Sequence, residues 1–130
     1  MEDVLIHSVE LTPQQLHTYL RDFIDLIGKY FAEVRVSIEY VSRDDIFGEG
    51  ELSDQVCSPK KIIELVTLAE ATGRAFLGYY DLSIRIGDDE ILFCHHSEIH
   101  LPKNPKTQAG NEILKALREQ RLVLPDWWLL

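Results

Sequence analysis

The chain is short of cysteine and of apolar runs. Its 130 residues include only two cysteines, Cys57 and Cys94, and no apolar stretch approaches the roughly 18 residues of a membrane span. Two cysteines are too few to crosslink a small secreted scaffold, so we expect free thiols. The N-terminus, Met-Glu-Asp, also lacks the basic start and apolar core of a signal peptide. These absences favour a cytoplasmic protein.

Basic residues are scarce as well. Thirteen lysines and arginines stand against 22 acids, which gives a net charge of −9. The excess is uneven, because residues 1–54 hold twelve acids and four bases whereas residues 103–130 hold three acids and five bases. A negative surface repels phosphate backbones, so direct nucleic-acid binding is disfavoured and a basic protein partner is favoured. The alternative is that the acidity only keeps the domain soluble.

Glycine-rich phosphate-binding motifs are missing. The sequence Phe47-Gly48-Glu49-Gly50 is a bare Gly-x-Gly without the third glycine of a dinucleotide-binding fingerprint, and the chain contains no P-loop. The flanking acids would also repel phosphate. We therefore predict no nucleotide cofactor and no other cofactor.

The sequence predicts an α+β fold. The apolar fraction of 45% and the charged fraction of 27% are ordinary for a globular protein, and the length suits one domain over residues 1–130. Hydrophobic periodicity predicts the order β-α-β-α-β-β-α. Such incomplete alternation favours a mainly antiparallel sheet packed against about three helices.

Local signals place most of these elements. Thr12, Pro13 and Gln15 form a capping box with proline at the first helical position, and Ser58-Pro59 predicts the start of a second helix. Residues 33–41 alternate strictly between apolar and polar and predict a half-buried strand. Residues 87–90 predict the turn of a β-hairpin whose second arm continues to Pro102.

That second arm contains the chain's main concentration of reactive side chains. If residues 94–101 are extended, then one face of the strand carries Cys94, His96, Glu98 and His100. These are zinc-ligand types, although His100 reaches a shared ion only if the strand bends. His96 is also a candidate base for a Cys94 nucleophile, but no third orienting residue is identifiable. The alternative is a small core cysteine beside surface histidines.

A second candidate site is an acidic segment predicted to be a long loop. Its carboxylates fall within eleven residues that contain no base, and they are Asp44, Asp45, Glu49, Glu51 and Asp54. Their spacing does not match an EF-hand. Long loops often carry function, so the segment is either a solvated loop or a surface for a basic partner, with Phe47 as a possible anchor.

The C-terminus ends in Trp127-Trp128-Leu129-Leu130. Two exposed tryptophans would be costly, so we expect the tail to dock. It docks either onto its own domain or onto another subunit or protein, since tryptophan is enriched at binding hot spots.

These observations favour a bacterial-type acidic protein-binding domain, an inhibitor or immunity-like protein. It would neutralise a basic partner such as a nuclease toxin by covering the surface that holds phosphate. One alternative is a small enzyme or metal-binding protein that uses Cys94, His96, Glu98 and His100. Another is an oligomeric adaptor that makes contact through Trp127 and Trp128.

Overall fold

The computed structural model describes residues 4–39, 52–73, 76–120 and 122. Within them the chain forms six strands and three helices. The strands are β1 (Leu5–His7), β2 (Val34–Glu39), β3 (Leu52–Cys57), β4 (Asp81–Ile86), β5 (Asp89–Phe93) and β6 (Ile99–Pro102). The helices are α1 (Pro13–Ile27), α2 (Pro59–Ala71) and α3 (Gln108–Glu119).

The predicted α+β class, the antiparallel sheet and the three helices are confirmed. The structure adds two strands to the predicted order. Strand β6 arises because the predicted long arm of the hairpin is divided by a turn. Strand β3 begins at Leu52, so Asp54 lies in a strand and not in the predicted acidic loop.

Helix α1 begins at the predicted capping box. The backbone N–H of Gln15 donates to the Thr12 hydroxyl at 3.2 Å, and the Thr12 N–H donates to the Gln15 side chain at 2.9 Å. The apolar side of the helix is buried, and its Phe23 ring lies 6.0 Å from the ring of Phe93 on β5. Neither this helix nor the other two in the described ranges is long and apolar enough to cross a lipid bilayer.

The six strands form one antiparallel sheet in the order β1-β6-β5-β4-β2-β3. Alternation along each strand sends one set of side chains into a core shared with the helices. The opposite face, here called the open face, carries half-buried or exposed side chains. It includes His7 of β1, Asp81 and Arg85 of β4, Leu92 of β5 and His100 of β6.

Residues 94–98 and the described residues that flank the acidic segment lie at the same end of this sheet, here called the turn end. At this end β1 finishes at His7, β4 begins at Asp81 and β6 begins at Ile99. The register pairs Glu39 with Asp81, so β2 also finishes here, and β3 begins beside it at Leu52. The acidic segment between β2 and β3 is therefore attached at the turn end.

A buried carboxylate ties the hairpin of β4 and β5 to α3. Asp89 is 2% exposed and accepts hydrogen bonds from the N–H of Lys106 at 2.9 Å and of Thr107 at 2.8 Å. The Thr107 hydroxyl donates to Asp89 Oδ2 at 2.6 Å and accepts from the N–H of Gly110 at 2.9 Å. The carboxylate thereby extends the N-cap of α3 into the sheet.

We expect Asp89→Ala to lower the free energy of unfolding by about 2–4 kcal/mol, because the N–H groups of Lys106 and Thr107 and the Thr107 hydroxyl lose their shared charged acceptor. The neighbouring acid Asp88 is exposed, and Asp88→Ala removes the same charge at a cost of about 0.5 kcal/mol or less. Urea denaturation of both variants measures the difference. Equal effects of the two substitutions would contradict the anchoring role of Asp89.

Candidate functional site

Residues 94–98, which begin at Cys94 and include His95 and His96, form a tight turn. The N–H of Cys94 donates to the Glu98 carbonyl at 2.9 Å, and the N–H of Ser97 donates to the Cys94 carbonyl at 3.1 Å. Ser97 adopts a positive φ of 62°, which allows the chain to reverse. The prediction of one extended strand through residues 94–100 is therefore wrong, and the turn decides which side chains meet.

The turn brings three of the four predicted ligands together. Cys94 and Glu98 face each other across the mouth of the turn, and His100 follows two residues later on the same face of β6. The ligand atoms of Cys94, Glu98 and His100 all lie within 4.8 Å of one another. His96, which was predicted to join them, lies outside this group; its exposed side chain lies against the ring of His95, with centroids 4.0 Å apart.

His7 belongs to the same cluster, although its position in the sequence did not indicate this. The register of β1 and β6 pairs His7 with His100, and their rings stack with centroids 5.2 Å apart. His7 Nδ1 lies 2.9 Å from the Ser8 carbonyl and 3.7 Å from Oε2 of Glu98. Glu98 thus lies between two imidazoles, since its Oε1 is 3.4 Å from Nε2 of His100.

Burial disfavours the charged forms of the Cys94 thiol and the His100 imidazole. It raises the pKa of the Cys94 thiol, and backbone N–H groups of His96 and Glu98 offset part of this shift. The pKa of His100 is lowered, first by burial and then by the proximity of His7, against the opposing effect of Glu98. A neutral imidazole is the form that binds metal, whereas the thiol must first lose its proton.

A second carboxylate stands beside the turn. Asp81 Oδ1 accepts a hydrogen bond from the N–H of His95 at 2.9 Å and lies 2.8 Å from His95 Nδ1. This contact holds the turn against the first residue of β4.

Two exposed aromatic side chains lie next to these turns. Phe76 is 52% exposed and Tyr79 is 69% exposed. With Leu77 they border a shallow groove against α1 and α2, in which His17 Nε2 lies 2.8 Å from Glu70 Oε2. No motif singled out Phe76 or Tyr79 in the sequence, although Gly73 before them and Gly78 between them are a turn signal.

The other predicted site residues cannot be placed in this way. Asp44, Asp45, Phe47, Glu49 and Glu51 lie outside the described residues, as do Trp127 and Trp128. The described chain stops at Glu39 before this segment and resumes at Leu52. Glu39 and Leu52 lie at the turn end, so the segment is attached at the same end of the sheet as the cluster.

Comparison with known proteins assigns this chain to no family. The chain matches no protein family, no curated protein and no solved structure. The functional argument therefore rests on the residues themselves.

We expect Cys94 to react slowly with alkylating reagents. In a Cys57→Ser background, its rate with iodoacetamide near about pH 7.5 should be at least about tenfold below that of a small peptide thiol, because the buried side chain holds its proton. Mass spectrometry of timed samples measures the rate. A rate equal to or above the peptide's would indicate a preformed thiolate and would favour the alternative in which Cys94 is a nucleophile.

The turn also depends on close packing at Gly78. This residue has a φ of 102°, and a Cβ there would lie 2.7 Å from the Ser97 hydroxyl and 2.9 Å from a methyl group of the buried Leu16. We expect Gly78→Ala to lower the free energy of unfolding by about 2–3 kcal/mol. Gly73 also has a positive φ but open space around it.

The matched substitution Gly73→Ala carries the backbone strain alone, at about 1 kcal/mol. Urea denaturation of the two variants therefore isolates the steric part of the Gly78 effect. A Gly78→Ala variant no less stable than Gly73→Ala would show that the two turns do not pack as described.

Proposed function

We propose that this chain is a small acidic protein-binding domain of the inhibitor or immunity type, which neutralises a basic partner such as a nuclease toxin. The observation that carries the proposal is the exposed aromatic pair Phe76 and Tyr79 at the turn end, where the acidic segment between β2 and β3 is also attached. Aromatic anchors surrounded by charge are what a specific, electrostatically selected interface requires.

The aromatic residues supply the affinity in this proposal. Both side chains are exposed, and both line the same shallow groove, so one partner surface can contact the two together. Phe76 and Tyr79 are held by the N–H of Tyr79 donating to the Phe76 carbonyl at 3.0 Å. A turn fixed in this way presents both rings at a low entropic cost to binding.

In this proposal the acidic residues determine which partners bind and how fast they associate. Asp81 and Glu98 are half-buried at the turn end, and the segment between Glu39 and Leu52 adds Asp44, Asp45, Glu49 and Glu51 against one base, Arg43, in sequence. Within the sheet, Arg35 and Arg85 pair with each other farther from this end. A partner with a positive surface is attracted to such an end and a negative one is repelled.

A nuclease fits this chemistry because its cleft must be basic to hold phosphate. An acidic domain with aromatic anchors competes for that cleft without being a substrate. The first partner to test is the product of the reading frame next to this gene, because a cell must make a toxin's inhibitor together with the toxin.

We expect this partner to bind with a dissociation constant that weakens at least about tenfold between about 50 mM and about 300 mM NaCl, because salt screens exposed charges. The double variant Asp44→Lys, Asp45→Lys should weaken binding by a further factor of about ten or more. Isothermal titration calorimetry measures both effects.

The control changes the same net charge elsewhere. Asp22 and Asp25 are exposed on α1, and Asp22→Lys, Asp25→Lys should alter binding much less. Tyr79→Ala should weaken binding about tenfold, whereas Tyr30→Ala, at a tyrosine 46% exposed beyond the far end of α1, should not. Salt-independent binding, or equal effects of the two double variants, would defeat the proposal.

A further inference from the structure

We infer that Cys94, Glu98 and His100 form a binding site for one Zn²⁺ ion, on the open face of the sheet at the turn end. The site shares Glu98 with the acidic end described above, but it does not depend on the protein-binding role. It rests on three ligands of different chemistry that the β5–β6 turn gathers into one place.

The backbone sets the three ligand positions. Phe93 and Ile99 are register partners that point into the core, so the next pair outward, Cys94 and Glu98, faces the open side. His100 lies two residues beyond Glu98 and hence on the same face. A continuous strand would spread Cys94 and His100 roughly 20 Å apart, at about 3.3 Å for each residue, and the turn removes this separation.

The distances suit a zinc ion after a small adjustment. A tetrahedral Zn²⁺ with a sulfur ligand at about 2.3 Å and a nitrogen ligand at about 2.0 Å places those two atoms roughly 3.5 Å apart. The three ligand atoms here all lie within 4.8 Å of one another. They therefore need to approach by about 1.5 Å at most, which side-chain rotation can supply.

The Nε2 nitrogen of His100 is poorly satisfied by the groups around it. Nε2 of His100 is buried and, among the described residues, has no hydrogen-bond partner. Glu98 Oε1 lies 3.4 Å away, but the contact is not a well-formed hydrogen bond. A buried nitrogen left in this state is costly, and coordination of a cation by its lone pair would remove the cost.

Neighbouring groups orient the ligands. The His7 ring stacks on His100, and its Nδ1 lies near both the Ser8 carbonyl and Glu98 Oε2. The backbone N–H of His96 donates to the sulfur of Cys94 at 3.4 Å, a contact that stabilises a thiolate. Such outer contacts commonly fix the direction and basicity of zinc ligands.

The donor set selects a borderline cation. A thiolate and an imidazole favour Zn²⁺ over Ca²⁺ or Mg²⁺, which prefer oxygen ligands. One thiolate and one carboxylate together balance the two positive charges of the ion. Three protein ligands leave the fourth position of the tetrahedron to water or to another small ligand.

The test uses the full chain, purified under reducing conditions and treated with EDTA, with Co²⁺ and Zn²⁺ as probes. We expect one equivalent of Co²⁺ to produce a sulfur-to-metal charge-transfer band and visible bands of tetrahedral coordination. Zn²⁺ should displace the cobalt and raise the melting temperature. Loss of Glu98 or His100 through Glu98→Gln or His100→Gln should weaken binding about tenfold or more.

Two matched controls locate the site. Cys94→Ser should abolish the charge-transfer band, whereas Cys57→Ser, at the other free thiol, should leave it intact. His96→Ala should also leave it intact, because that side chain lies outside the cluster. Circular dichroism confirms that each variant is folded. If a folded Cys57→Ser chain gives no band with excess Co²⁺, or if the band survives Cys94→Ser, the assignment is overturned.

The outcome is separable from that of the partner experiment. Partner binding measured in EDTA reports the protein interface alone, and cobalt binding measured without partner reports the metal site alone. Either result stands if the other fails.

Discussion

The three helices of the described residues pack against one face of the antiparallel sheet, and this constraint determines where polar side chains gather. Side chains such as Leu82, Ile84 and Phe93 point into the core that the helices share. Their neighbours along each strand must then point to the open face, where water is available to them. The histidines, carboxylates and thiol of the candidate site occupy that face because the alternation leaves no other place for them.

The cluster itself depends on two unrelated contacts. The Cys94–Ser97 turn closes locally, through hydrogen bonds between near neighbours, and sets Glu98 opposite Cys94. The stacking of His7 on His100 requires that the N-terminal strand add to the sheet edge, far from the turn in sequence. A local turn and a long-range strand pairing thus supply different sides of one site, and disruption of either changes what Glu98 contacts.

The features predicted from the sequence are those that depend on interactions between residues close together in the chain. The capping box at Thr12 and the alternation of β2 are short-range signals, and both are present in the structure. Strand β3 was missed because its residues become a strand only through pairing with β2, and β propensity depends strongly on such context. The turn was missed because its residue with a positive φ is Ser97, and not the glycine or asparagine that usually signals such a position. The role of His7 was missed because no local sequence pattern indicates a partner as distant as His100.

The pairing of β2 with β3 is irregular between Val36 and Ile38, and β3 is an outer strand of the sheet. An outer strand normally offers a row of unpaired amides on which another chain can build. A bulge increases the local twist and bends the strand. An extended peptide would find no evenly spaced row of amides to pair with along β3, so this edge of the sheet resists open-ended fibre growth.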